Sequence, residues 1–375
     1  MGPINQSDQY YMARALRLAA KGLWSTDPNP RVGCVLVRDG KIVGEGWHQV
    51  AGEPHSEIHA LRMAKEKAAG ATCYVTLEPC CHYGRTPPCT DALIKAGVTR
   101  VVVAMTDPNP IVSTKGIEQL SKAGIIVDTS VLSSYSERLN PGFFMRMRHG
   151  RPYIRSKVAM SLDGRSAMAS GESQWITSAD ARRDVQGLRA RCSAIMTGAG
   201  TVLADDPALT VREDELPTHV FKPQKIKQPL RVIVDVHLSM PTQARMLRLP
   251  GKTIIFTASD QEDIKSMLEK TGAQVFCVRG SDGNIDLQAI CQKLAEDYEV
   301  NELQIEAGAT LNGFMLRAGL IDELVIYMAP LLMGNKARGL FHLPHIEYLN
   351  QSLSLEIKEI RPVGNDWRIT AQPIY

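Results

Sequence analysis

Apolar positions along the first 145 residues switch between two spacings. Tyr11, Ala15, Leu18 and Gly22 recur at helical intervals and predict a helix over about 7–22. Two runs of strand character, 32–38 and 41–47, follow it. Asp39-Gly40 joins them, a dipeptide suited to the positive φ of a tight hairpin. Ile58, Leu61, Ala64 and Ala68 predict a helix from about Ser56 to Ala69 with one buried face, ending at Gly70. A strand at 73–77, a helix after Pro88, a strand at 100–105, a helix near 117–123 and a strand at 125–127 continue the alternation. The pattern predicts one sheet with helices on both faces.

Alternation begins afresh after an arginine-rich stretch containing Arg146, Arg148, Arg151 and Arg155, with Gly150 and Pro152. These arginines read as a solvated linker more readily than as a phosphate patch. The predicted domains are therefore 1–147 and 148–375. In the second, strands at 154–160, 194–197, 231–235, 253–257, 274–278 and 303–306, with helices at 178–190 and 314–318, predict another α/β domain. Residues 213–228, with Pro217 and Pro223, read as a polar loop insertion, and the chain beyond Pro330 as closing strands.

With 375 residues, 44% hydrophobic and 22% charged, two folded cores are expected and extended disorder is excluded. Lys and Arg number 43 against 40 Asp and Glu, which does not suggest a nucleic-acid partner. No apolar run approaches the roughly 18 residues a membrane span requires, and the first residues lack a secretion signal. A cytoplasmic protein without a membrane partner is the expectation. Eight cysteines are too sparse for a disulfide scaffold, yet Cys73, Cys80, Cys81 and Cys89 cluster.

That cluster points to metal chemistry. His55-Ser56-Glu57 opens a predicted helix, Pro79-Cys80 follows a strand, and Cys89 begins another helix. One imidazole and two thiolates, from His55, Cys80 and Cys89, suit one tetrahedral Zn²⁺ per chain with a fourth position open to water. Zinc lowers the pKa of such a water to about 7, and Glu57 is the carboxylate to shuttle protons. A helix start at Cys89 favours its thiolate. The order His-x-Glu then Pro-Cys-x-x-Cys is the signature of zinc-dependent nucleobase deaminases. Here eight residues separate the cysteines instead of two. A structural site would need a fourth ligand, such as Cys81 or His82, and would leave Glu57 without purpose. His59, four residues after His55, lacks the zincin pattern and reads as structural or supporting.

The run from Leu77 to Cys89, with its long cysteine loop, resembles the bifunctional deaminase and reductase family of riboflavin biosynthesis, as do 27–33 and 46–55. The resemblance implies that Asn29 and His48 contact the pyrimidine or its ribose and that Arg85 approaches the phosphate. Stretches 157–165 and 171–177 look like the family's reductase half. It thus implies a cytidine-deaminase-like zinc domain followed by a dihydrofolate-reductase-like α/β domain that uses NADPH.

No G-x-G-x-x-G opens the second domain, although glycine turns at 197–201 and 306–313 follow strands and could approach an anion. By the same resemblance Ala159, Trp175, Thr201, Asp205, Ser239 and the turn Gly308, Ala309, Thr310, Leu311, Asn312, Gly313 and Phe314 would line the cofactor. Ser173, Arg189, Leu209, Arg212 and Glu306 would meet the ribosyl substrate, with arginine suited to its phosphate. Asp205 and Glu306 are the candidates for proton transfer. The family also suggests a homodimer or tetramer. Two rivals remain: a nucleic-acid base deaminase, which near-neutral charge disfavours, and a zinc-stabilised binding module, which an intact Glu57 disfavours.

Overall fold

The computed structural model describes residues 6–83, 87–110, 112–216, 226–281 and 283–375. It divides into two compact units, the first chiefly Met1–Gly150 and the second Arg151–Pro217 with Lys227–Tyr375.

The first unit contains α1 (Gln6–Ala19), β1 (Gly33–Arg38), β2 (Lys41–Trp47), α2 (Ser56–Ala64), β3 (Thr72–Val75), α3 (Cys89–Lys95), β4 (Arg100–Val103), α4 (Lys115–Lys122), β5 (Ile126–Thr129), α5 (Ser133–Leu139) and α6 (Pro141–His149). Its sheet runs β2-β1-β3-β4-β5, antiparallel from β2 to β3 and parallel beyond. Both faces are covered. Ala60, Leu93 and Leu120 of α2, α3 and α4 pack on one side, and Met12, Ala15 and Leu18 of α1 on the other. The helix expected through Ala69 ends as α-helix at Ala64 and tightens into a 3₁₀ turn, Lys65–Ala68. α5 and α6 were not anticipated. They matter, because Asn140 between them accepts from Arg31 N at 2.7 Å and donates to Arg31 O at 2.9 Å, fixing the turn that carries Asn29.

The second unit contains β6 (Tyr153–Ser161), β7 (Arg165–Ala167), α7 (Ala179–Arg191), β8 (Ala194–Gly198), α8 (Ala199–Asp205), β9 (Leu230–Val234), β10 (Thr253–Thr257), α9 (Glu262–Glu269), β11 (Gln274–Cys277), α10 (Leu287–Tyr298), β12 (Glu302–Ile305), α11 (Ala309–Arg317), β13 (Glu323–Ala329), β14 (Arg338–Gly339), β15 (Ser354–Val363) and β16 (Asp366–Ile374). Nine strands form one sheet, β11-β10-β9-β8-β12-β6-β13-β16-β15, parallel as far as β13 and antiparallel at the β16-β15 edge. Parallel strands buried on both faces explain the continuous apolar runs, as in β10, where all five residues are buried. The loops leaving β8, β9 and β12 gather at the carboxyl edge, the customary place for a ligand in such a sheet. Most of the polar insertion expected at 213–228 lies outside the described residues. Among the described residues no helix is long and apolar enough to cross a membrane.

Candidate functional site

In the first unit the metal corner is assembled from two helix starts and one loop. His55 is the N-cap of α2, and Cys89 is the first residue of α3. α2 lies hard against β2, because a Cβ on Gly46 would come within 2.3 Å of Ser56 O. Glycine at that position sets where His55 and Glu57 stand. His55 Nδ1 is 3.5 Å from Cys80 Sγ and 3.4 Å from Cys89 Sγ, and the three donor atoms lie within 4.8 Å of one another. Bond lengths of about 2.1 and 2.3 Å at a tetrahedral angle require an N–S separation of about 3.6 Å, so the donors fit zinc. No fourth ligand joins them among the described residues, which leaves the open corner that chemistry needs.

Charge within the corner supports the same assignment. The hydrogen bond with Cys89 holds the Cys80 thiol down to about 4 against burial, with His55 adding to the effect. That contact and burial push Cys89 up, while Cys80 raises His55. Cys89 N, at the positive end of α3, donates to Cys80 Sγ at 3.4 Å. The trio so arranged retains protons that a divalent cation would displace.

Glu57 is 3% exposed and lies against the Cys89 thiol. Burial raises its pKa, and Ser56 Oγ donates to Oε2 at 2.8 Å, which leaves Oε1 for other work. His48 is buried, with its pKa lowered to about 4 chiefly by desolvation. Its Nδ1 faces Pro54 O at 3.3 Å and must donate there. Nε2 therefore accepts from Asn29 Nδ2 at 3.1 Å, and Asn29 Oδ1 remains a free acceptor. The His48 and His55 rings meet edge to face at 5.2 Å, so the Asn29–His48 pair borders the metal corner. His59 stands apart from the donor trio, and Arg85 lies outside the described residues.

Glu78 supports Cys80 from two residues away. Its buried carboxylate accepts from the backbone N–H groups of Asp107, Thr114, Gly116 and Ile117 at 3.0–3.2 Å. It thereby fastens the 107–117 segment beside the cysteine loop.

In the second unit a cavity of about 1960 Å³ opens at the carboxyl edge of the sheet. Ala159, Trp175, Thr201, Asp205, Ser239, Gly308, Ala309, Thr310, Leu311 and Phe314 line it, together with Ser173, Arg189, Leu209, Arg212 and Glu306. Asn312 and Gly313, expected at the cofactor, are not among the lining residues. Asn312 is fully buried and holds the turn itself, donating to Ala307 O at 2.7 Å and accepting from Ser156 Oγ. Gly313 gives His342 room, since a Cβ there would come 2.1 Å from His342 O.

The arginines expected at the phosphate are already engaged. Arg189 Nε and Nη2 fork onto Glu306 at 2.7 and 2.8 Å, and Nη1 donates to Thr210 O. Against the burial that opposes ionisation, this fork, with Lys157 adding, holds the Glu306 carboxyl down to about 2. Glu306 is therefore an anion at neutral pH and not a proton donor. Arg212 spends Nε and Nη2 on Glu215 and keeps Nη1. Ser239 is set by Asp235, which accepts from both its N and its Oγ. Lys157, within the 157–165 stretch, is a further residue of this cavity. Its amine lies in the cavity near Glu306, and burial lowers its pKa. A lysine at the centre of a parallel-sheet strand, followed by Val158, Ala159 and Met160, is the signal available.

Comparison with known proteins agrees with this division of the chain. The family described as cytidine and deoxycytidylate deaminase zinc-binding region matches residues 5–105, and the RibD C-terminal domain family matches 152–369. Riboflavin biosynthesis protein RibD of Escherichia coli is 53% identical over 362 residues, covering 96% of this chain and 97% of its own. The solved structure of Acinetobacter baumannii RibD, form 2, superposes with a TM-score of 0.90 at 44% identity, covering 98% of this chain and 99% of that one. A Thermotoga maritima structure titled as a diaminohydroxyphosphoribosylaminopyrimidine deaminase and 5-amino-6-(5-phosphoribosylamino)uracil reductase gives 0.84 at 30% identity, covering 98% and 99%. With a zinc-binding deaminase region ahead of a reductase domain, the chain belongs to the RibD family of riboflavin biosynthesis proteins.

Proposed function

We propose that the protein catalyses two successive steps of riboflavin synthesis. It deaminates 2,5-diamino-6-(5-phosphoribosylamino)pyrimidin-4-one by hydrolysis, then uses NADPH to reduce the ribosyl group, giving 5-amino-6-(5-phosphoribitylamino)uracil. The observation that carries the first step is the three-donor corner of His55, Cys80 and Cys89 with Glu57 beside it.

Zinc held there would supply an acidified water as nucleophile at neutral pH. Glu57 Oε1 takes the water proton and passes it to the departing amino group, so that water and the amine become a carbonyl and ammonia. A carboxyl raised by burial is suited to both halves of that exchange. Asn29 Oδ1, its direction set by neutral His48, accepts from an N–H of the pyrimidine.

In the second unit a bound nicotinamide dinucleotide would supply the hydride. Glu306, kept ionised by Arg189, stabilises positive charge developing at ribose C1′ as the bond to the ring oxygen opens. Lys157, with its lowered pKa, provides the proton that the ring oxygen takes. Arg212 Nη1 and the Ser173 hydroxyl are left to meet the substrate phosphate. A homo-oligomer fits the β15 edge, where Leu355, Ile357 and Ile360 are exposed.

The test supplies the pyrimidine phosphate and follows ammonia release and NADPH oxidation separately. Wild type should show both, and Glu57→Gln should oxidise NADPH only when given the deaminated intermediate. Ammonia release by Glu57→Gln at the wild-type rate would remove Glu57 from the mechanism.

A further inference from the structure

Arg182 has no part in the chemistry above, yet it covers an aromatic group that stands open inside the cavity. Its guanidinium carbon lies 4.5 Å from the centroid of the Trp175 ring. Nη1 donates to Thr177 O at 2.7 Å, so the backbone beside the indole holds the cation in place. Arg182 belongs to the first turn of α7, whose N-cap Ser178 accepts from Ala181 N and donates its own N–H to buried Asp366 at 2.7 Å. Arginine and indole are thus tied to the same helix start. Trp175 nevertheless remains 69% exposed while lining the cavity. A large aromatic with one face under a fixed cation and the rest open is a stacking surface for a planar ring.

The cation determines which ring suits it. An aromatic face attracts positive charge through its quadrupole, and a guanidinium on one side adds a positive field at the other that offsets this attraction. A planar ring stacked opposite would stand roughly 8 Å from the guanidinium carbon. Oxidised nicotinamide carries a positive charge, whereas the dihydro form is neutral. Asp205, which accepts from Gln174 Nε2 at 3.4 Å, lies on the same cavity and acts in the opposite sense, equally in wild type and in Arg182 variants, so it drops out of their comparison.

We propose that Arg182 is a positioning residue that acts through Trp175 to make the cavity favour the neutral, reduced nicotinamide over the oxidised one. The inference rests on Trp175 being the nicotinamide contact. A nicotinamide bound there would supply hydride, with its electron pair, to C1′ of the substrate, and would then carry a positive charge. Arg182 then opposes its retention, which hastens exchange of spent cofactor.

The experiment titrates the full chain with NADPH and with NADP⁺ separately, without substrate, by calorimetry. Wild type should bind NADPH more tightly. R182Q should narrow the ratio of the two dissociation constants by about threefold to tenfold, while R182K keeps most of it. A merely structural role would weaken both ligands alike and leave the ratio unmoved. The thermal midpoint of the reductase unit reports whether each variant is folded, and R182M carries the same comparison if R182Q is not. An unchanged ratio in R182Q, with W175F weakening both ligands, overturns the role of Arg182 alone. Unchanged binding of both ligands by W175F overturns the nicotinamide reading of Trp175, and the proposal with it.

Discussion

The metal corner takes His55, Glu57, Cys80 and Cys89 from 35 consecutive residues, three of them at or beside a helix start and Cys80 in the loop between β3 and α3. The second cavity draws instead on β6, α7 and the loops after β8, β9 and β12, so that Arg189 meets a carboxylate 117 residues away. The corner has few components, and its donors stand at separations that suit a shared zinc ion. The cavity is wide, and its charges are matched to one another before any ligand arrives. One site is a compact set of donors; in the other, the charged groups Arg189 and Glu306 are paired with each other.

This contrast can be tested from its strongest consequence down. Cys89→Ser, or removal of metal by a chelator, should abolish ammonia release while leaving NADPH oxidation of the deaminated intermediate intact, with metal content measured alongside. Loss of both activities would mean that the two sites are not separate. Glu57→Gln should lower ammonia release by about 10²-fold to 10⁴-fold with metal content unchanged, which assigns the loss to proton transfer.

Arg189→Met should destabilise the reductase unit by about 3–5 kcal/mol in denaturant titration, because it strands a buried carboxylate without its fork. Glu306 also sets a pH dependence. Its folded pKa lies below the ordinary carboxylate value of about 4.3, so its stabilising contribution is complete above that pH. The contribution should fade as pH falls from about 4.3 towards 2, seen as a declining unfolding midpoint that an E306Q variant lacks. Smallest of all, Arg212→Gln should change stability by less than about 1 kcal/mol, since the Arg212–Glu215 pair is exposed. A larger loss would show that the cavity wall depends on surface pairs too.

What could be read in advance follows the same division. The Asp39-Gly40 hairpin, the start of α2 at Ser56 and the placement of His55, Cys80 and Cys89 were legible because each depends on short-range signals. α5 and α6 escaped notice because Arg138, Arg146 and Arg148 broke up their apolar spacing, which tertiary contacts through Phe143 and Phe144 compensate. A turn motif does not reveal which of its members face inward, so the burial of Asn312 and Gly313 away from the cavity lining leaves no local sign. The occupation of Arg189 by Glu306 was equally hidden, since pairing across 117 residues leaves no local trace.

The grip of Glu78 on four backbone N–H groups has a consequence for how the protein is made. A chain leaving the ribosome presents His55, Cys80 and Cys89 well before it presents the segment ending at Ile117. Until that segment arrives, the loop bearing Cys80 lacks its anchor and the ligands can flex. Metal captured by a nascent chain would therefore exchange readily, and the corner would tighten only as synthesis passes the start of α4. Transplanting the cysteine loop into another scaffold without its distant clasp would reproduce the loose, early state and not the finished one.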